Sequence, residues 1–134
     1  MSNIVALSEA ASIALHSMVL IAKTNEVLNV GEISARIFSS RHHVAKILQR
    51  LVKEGFISSN RGPSGGFTLR KDPDDISLLE IYEAIEGPLE VQACPGSKEN
   101  CPFGSCILGD MSKRISSDIR EYMKNKKLSY YINH

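Results

Sequence analysis

Apolar residues run almost without a break from Ala10 to Ile21, and Ser8 stands ahead of them. A serine oxygen there can accept a free backbone N–H, so the pattern predicts a mostly buried helix running through Ile13, Val19 and Leu20 to about Lys23. A polar turn, Thr24 to Asn29, follows. Val30, Ile33 and Ile37 then recur at i, i+3 and i+7, the mark of a short amphipathic helix. Ser39 or Ser40 caps the next helix. There Val44, Ile47, Leu48, Leu51 and Val52 share one face, and Gly55 supplies the stop. The outer face of that helix carries Arg41, His42, Lys46, Gln49, Arg50 and Lys53.

The period then changes. FISS (56–59) and FTLR (67–70) read as short strands, and the NRGPSGG between them reads as a hairpin connection, the only sheet on offer. After a turn at Asp72 to Asp75, Ser77-Leu78-Leu79-Glu80 forms a capping box with Ile76 and Ile81 as its hydrophobic staple. Leu78, Ile81, Tyr82 and Ile85 line one face of the helix it starts, and Gly87-Pro88 ends it. Last, Ile107, Leu108, Met111, Ile115, Ile119, Tyr122 and Met123 draw an apolar stripe along about five turns. A helix that long in so small a chain is expected to bury its stripe against a second subunit. The predicted fold is mainly α with a small two-stranded β-hairpin: a winged helix-turn-helix plus a long C-terminal dimerisation helix. It divides into a DNA-binding domain over 1–88 (recognition helix about 40–54, wing about 56–70), a cysteine loop over 89–106, and a dimerisation helix and tail over 107–134.

Composition changes this picture little. With 134 residues, 43% hydrophobic and 23% charged, the chain matches one ordinary soluble domain. No apolar run reaches the roughly 18 residues of a bilayer span, and the first residues do not resemble a signal peptide. A cytoplasmic protein without a membrane partner is expected. Charge says more. Net charge is only +1, yet Arg36 to Lys71 holds eight Lys or Arg against the single acid Glu54, while Asp72 to Asp110 holds nine acids against Lys98 alone. The basic third is placed to face phosphates.

In a winged helix-turn-helix the second helix enters the major groove and its first turns meet base edges. Ser40, Arg41, His42 and His43 would stand there, with Lys46, Gln49 and Arg50 further along. Arg can pair with guanine and Gln with adenine, each through two hydrogen bonds. Arg61, at the hairpin tip, could enter a minor groove, and Gly62, Ser64, Gly65 and Gly66 would let the backbone approach phosphates. A lone basic helix is more often merely solvated, but the Gly-rich wing beside it favours double-stranded DNA as the partner. His42 and His43 are not a metal pair, because adjacent side chains diverge by about 100° on a helix.

All three cysteines lie in CPGSKENCPFGSC, residues 94–106. Cys94, Cys101 and Cys106 are close enough in sequence to converge on one centre. Thiolates suit zinc or an iron-sulfur cluster, and each usually wants a fourth ligand. The spacing is not that of a zinc ribbon. A cluster-free thiol/disulfide switch and three unrelated thiols are the other readings. No nucleophile paired with a base and no phosphate-binding glycine loop points to an enzyme.

NVGEISARI, SSRHHVAKILQRLVKEGFI, SNRGPSGGFTL, DISLLEIYEAIEGP, the three-cysteine loop and the long helix together resemble the winged-helix regulator family of IscR and NsrR across almost the whole chain. The resemblance implies a homodimeric transcription regulator, a repressor, that binds a palindromic operator under the control of an iron-sulfur cluster on Cys94, Cys101 and Cys106. The sensed signal would be redox state, nitric oxide, or iron and cluster supply. IscR-like members place a histidine three residues after the third cysteine, where this chain has Gly109; NsrR-like members can use an acid on the first helix of the other subunit, where it has Ser12. One turn later stands His16, and some 2Fe-2S relatives are similar in carrying a ligand histidine there, donated across the dimer. That favours a 2Fe-2S over a 4Fe-4S cluster, with Glu9, Glu99, Asp110 or a small molecule as other fourth ligands. A protein-interaction module stapled by structural zinc is the alternative from another class.

Overall fold

The computed structural model describes residues 5–91 and 101–134. Helix α1, Glu9–Lys23, runs through the middle of the molecule. It buries Ala11, Ile13, Ala14, Leu15, Met18 and Ile21, and the Ser8 hydroxyl caps it by accepting from the Ala11 amide at 3.1 Å. The helix can be this apolar because other elements pack on several sides of it: α3, α4, the hairpin and the C-terminal tail.

Helices α2, Val30–Ile37, and α3, Arg41–Lys53, form the helix-turn-helix. Asn29 caps α2 through the Glu32 amide, and Ser40, rather than Ser39, caps α3 through that of His43. Between them Phe38 adopts φ 57°, a left-handed turn. Ile33, Val44, Leu48 and Leu51 are fully buried and seat both helices on Met18 and Ile57 in one core.

Strands β1, Ile57–Asn60, and β2, Gly66–Leu69, pair antiparallel with Ile57 opposite Leu69, one residue off the expected bounds at each end. Leu28 was expected in a polar turn. Its carbonyl instead accepts from the Phe67 amide at 2.8 Å, and its side chain is fully buried, so it adds a one-bridge third member to the sheet. Gly66 permits this close approach, since a Cβ there would stand 2.4 Å from the Leu28 oxygen.

A 3-10 turn, Pro73–Asp75, leads into α4, Leu78–Glu86, capped by Ser77 through the Glu80 amide, with both staple residues Ile76 and Ile81 fully buried. Helix α5, Met111–Asn125, begins four residues later than the apolar stripe. Gly109 sits at φ 60° and its amide turns back to the Cys106 carbonyl, so Ile107 and Leu108 lie in a turn rather than in the helix. Beyond α5 the tail returns to its own chain: the Leu78 amide donates to the Lys126 carbonyl at 3.0 Å, the Leu128 amide to the Ile76 carbonyl at 2.8 Å, and Leu128 is fully buried. Among the described residues no helix is long and apolar enough to cross a membrane.

Candidate nucleic-acid interface and cysteine site

Burying Val44, Ile47, Leu48 and Leu51 leaves the opposite face of α3 in solvent, because successive residues on a helix turn by about 100°. Ser40, Arg41, His42, His43, Lys46, Gln49 and Arg50 are all exposed. Three of them already have work within the chain. The Ser40 hydroxyl is the cap; Arg50 Nη2 donates to the Ala84 carbonyl at 3.1 Å, tying α3 to α4; and His43 Nδ1 lies 3.1 Å from Glu9 Oε1 on α1. That leaves Arg41, His42, Lys46 and Gln49 as the freer donors of the face.

The wing tip is a tight turn, with the Gly65 amide donating to the Gly62 carbonyl at 2.9 Å and Gly62 at φ 109°. Arg61, Gly62 and Ser64 are exposed. Gly65 and Gly66 serve the wing itself: a Cβ on Gly65 would meet the Asn60 carbonyl oxygen at 2.3 Å, and Gly66 is buried against Leu28. The glycine run thus closes the hairpin as well as keeping its tip lean.

Of the cysteines, Cys94 lies outside the described residues, as does Glu99, while Cys101 and Cys106 are free, exposed thiols. His16 is exposed on α1, with Nδ1 2.7 Å from the Ser12 carbonyl oxygen. A carbonyl can only accept, so Nδ1 carries the hydrogen and, in the neutral ring, Nε2 keeps a free lone pair. A backbone contact of this kind is how ligand histidines are commonly oriented. Soft thiolates plus an imidazole in that tautomer suit iron or zinc. Among the described residues no group of three or more His, Cys, Asp or Glu could hold a metal. Glu9 is engaged by His43, and Asp110 faces Arg114 at 3.6 Å. Near His16, Leu15, Val19, Leu20, Ile37, Phe38 and Tyr131 line an open apolar groove. Burial, then the neighbouring Tyr122 and Tyr130, raise the Tyr131 phenol above its ordinary pKa, so it stays protonated.

The buried two-helix unit, exposed polar helix face and hairpin define a winged helix-turn-helix. A family model described as Rrf2, iron-dependent transcriptional regulator, matches residues 7–134, and the chain belongs to that family. The HTH-type transcriptional regulator IscR of Yersinia pseudotuberculosis serotype O:1b (strain IP 31758) is 29% identical over 122 residues, covering 90% of this chain and 70% of that protein. IscR of Serratia proteamaculans (strain 568) is 30% identical over 105 residues, 78% of this chain and 63% of that one. Among solved structures, CymR of B. subtilis, titled the global cysteine regulator, superposes with a TM-score of 0.79 at 21% identity, covering 97% of this chain and 98% of its own. T. potens IscR gives 0.74 at 19%, covering 96% and 87%. At those identities the structural likeness is one of fold.

Sequence reasoning missed Leu28 and Leu128, whose burial depends on distant partners, and the Glu9–His43 contact, which joins residues 34 apart. The last had a faint signal, an acid in the first turn of an otherwise apolar helix.

Proposed function

We propose that this chain is one half of a homodimeric transcription repressor that reads a palindromic operator with α3 and the wing, under the control of an iron-sulfur cluster. The observation that carries the DNA reading is the uncovered α3 face, with Arg41, His42, Lys46 and Gln49 standing opposite a fully packed stripe beside the exposed Arg61. Cys94, Cys101 and Cys106 would be the thiolate ligands and His16 of the partner subunit the fourth, in a 2Fe-2S cluster in preference to 4Fe-4S. The family's description as iron-dependent, the IscR relatives and the His16 tautomer support this. Bound there, a cluster would supply a link between subunits that is labile to oxidants, to nitric oxide or to iron shortage.

The chain's own residues supply the coupling. The residues just beyond α5 are pinned to Ile76 and Leu78 at the start of α4, and α4 in turn holds Arg50 of α3 through the Ala84 carbonyl, so displacing α5 would pull on the helix that supports α3. Exposed Ile107, Met111 and Ile115 would be covered by the second subunit. A free-energy difference of about 3 kcal/mol between dimer forms would change operator affinity roughly a hundredfold.

A second reading has an observation of its own. The fold neighbours include CymR, with one structure titled as its oxidized form, and Cys101 and Cys106 are free exposed thiols. A pair of thiols could lose two electrons and two protons to an oxidant and close a disulfide, with no cluster involved. Purification without oxygen, followed by visible and Mössbauer spectra, separates the two. The cluster reading expects a coloured protein, bleached by Cys106→Ala and spectrally altered by His16→Ala, with operator binding changed and the fold intact. A colourless wild type whose operator binding follows a thiol oxidant and is restored by reductant would establish the second reading instead.

A further inference from the structure

A side-chain hydrogen bond joins the recognition helix to α1 outside the core: His43 Nδ1 and Glu9 Oε1 lie 3.1 Å apart across a cleft also lined by Ala10, Ile13, Lys46 and Ile47. Both ends are held by backbone. Glu9 opens α1 directly after its cap, and His43 sits in the first turn of α3 with its amide on the Ser40 hydroxyl at 3.2 Å. A carboxylate accepts and does not donate, so Nδ1 must carry the hydrogen. In the neutral ring Nε2 then has a lone pair and no hydrogen, on the edge away from α1. The other charged or titratable neighbours are on His43's own helix: Lys46, which has no lone pair to offer Nδ1, and His42, whose ring centroid is 6.0 Å away.

We propose that Glu9 is a positioning residue for sequence readout: it holds His43 in the Nδ1–H form, so that Nε2 accepts a hydrogen bond from the exocyclic amine of an adenine or cytosine in the operator. In the major groove those amines are the donors, whereas guanine and thymine present acceptors on their exocyclic groups. Without Glu9 the opposite tautomer is open, Nε2 becomes a donor, and the preference blurs. The inference rests on α3 being the DNA-reading helix.

Charge and positioning predict opposite signs, which makes the idea testable. Deleting an acid that shares a cleft with Lys46 should strengthen attraction to any DNA. Duplexes are first enriched from a random pool by the intact wild-type dimer at about pH 8, where a free imidazole is neutral. Affinities for an enriched duplex and a scrambled one are then compared. Both Glu9→Ala and Glu9→Gln should bind the scrambled duplex slightly more tightly. Only Glu9→Ala should lose about five- to tenfold of the enriched-over-scrambled ratio, since the glutamine oxygen still accepts from Nδ1–H. Adding His43→Ala to Glu9→Ala should cost little more. Equal ratios in both Glu9 variants, whether kept or lost, overturn the positioning role. A wild type that enriches no sequence overturns the DNA reading itself, and the inference with it.

Discussion

The helix-turn-helix with its wing caps and packs its own elements, though Ser17 Oγ on α1 is buried without a hydrogen-bond partner; residues 101–118 do neither. In the first region Ser8, Asn29, Ser40 and Ser77 each cap a helix with a side-chain hydrogen bond, and the apolar faces of four helices meet in one core. In the second, α5 begins at Asp110 with no side-chain cap, Ile107 is 80% exposed and Phe103 59%, and every residue from Cys101 to Met111 is exposed. Isolated apolar residues on a surface are ordinary, but a run of them along one helix and the loop before it marks a face that something else covers. The first region is thus a finished device. The second, in the function proposed above, would be completed by a second subunit and a cluster.

The largest effect that could break this contrast is a pair of substitutions. Leu48→Ala empties a fully buried site and should cost about 2–5 kcal/mol in urea unfolding. Ile107→Ser should stay within about 0.5 kcal/mol in protein dilute enough to be monomeric, while weakening self-association in sedimentation at higher concentration. If the two cost the same in dilute protein, the second region is packed after all and the contrast fails.

Two glycines sharpen it at the next scale. Gly66→Ala drives a Cβ to 2.4 Å from the Leu28 carbonyl oxygen, so the bridge to Phe67 must give way, at about 1–3 kcal/mol. Gly109→Ala meets open space and bears only the left-handed backbone cost, about 1 kcal/mol. Thermal unfolding should rank Gly66→Ala as the more damaging. The reverse order would mean that the turn before α5 is the tighter of the two.

The contrast also explains what could be read from sequence. Helices α1 to α4 and their serine caps are local devices, set by neighbours within four residues, and they were legible almost to the residue; of the capping box at Ser77, the half in which the serine oxygen accepts from the Glu80 amide is present. Ser40 over Ser39 needed only the geometry of the turn. Leu28 and Leu128 were not legible, because an apolar residue in a polar stretch is buried only when a distant backbone group, the Phe67 amide for Leu28 and the Ile76 carbonyl for Leu128, arrives opposite it. The start of α5 was overreached for a different reason. An apolar period passes through Gly109 without registering that its φ of 60° ends the helix. At the site, residue types announced a polar helix face and a set of candidate soft ligands, but which members of the face are already engaged within the chain, as Arg50 and His43 are, depends on Ala84 and Glu9 across the fold.

Phe38 is the exception inside the finished region, and it carries the smallest prediction. It is 95% exposed, so its ring contributes almost nothing to the core, and it holds φ 57°, a region where a side chain crowds its own backbone. Glycine would adopt that turn without the crowding but has more freedom to lose on folding, so the two effects partly offset. Crowding should win, because the strained conformation is required by the Ser39 amide donating to the Ser34 carbonyl at 3.1 Å, which fixes the turn between α2 and α3. Phe38→Gly should therefore raise stability by up to about 1 kcal/mol, seen as a higher urea midpoint with an unchanged slope. A lower midpoint would show that the freedom glycine loses on folding outweighs the crowding, unless Phe38→Ala, which lacks that extra freedom, lowers it as well. The ring would then be packed in solution, and the boundary between the two regions would run through the helix-turn-helix itself.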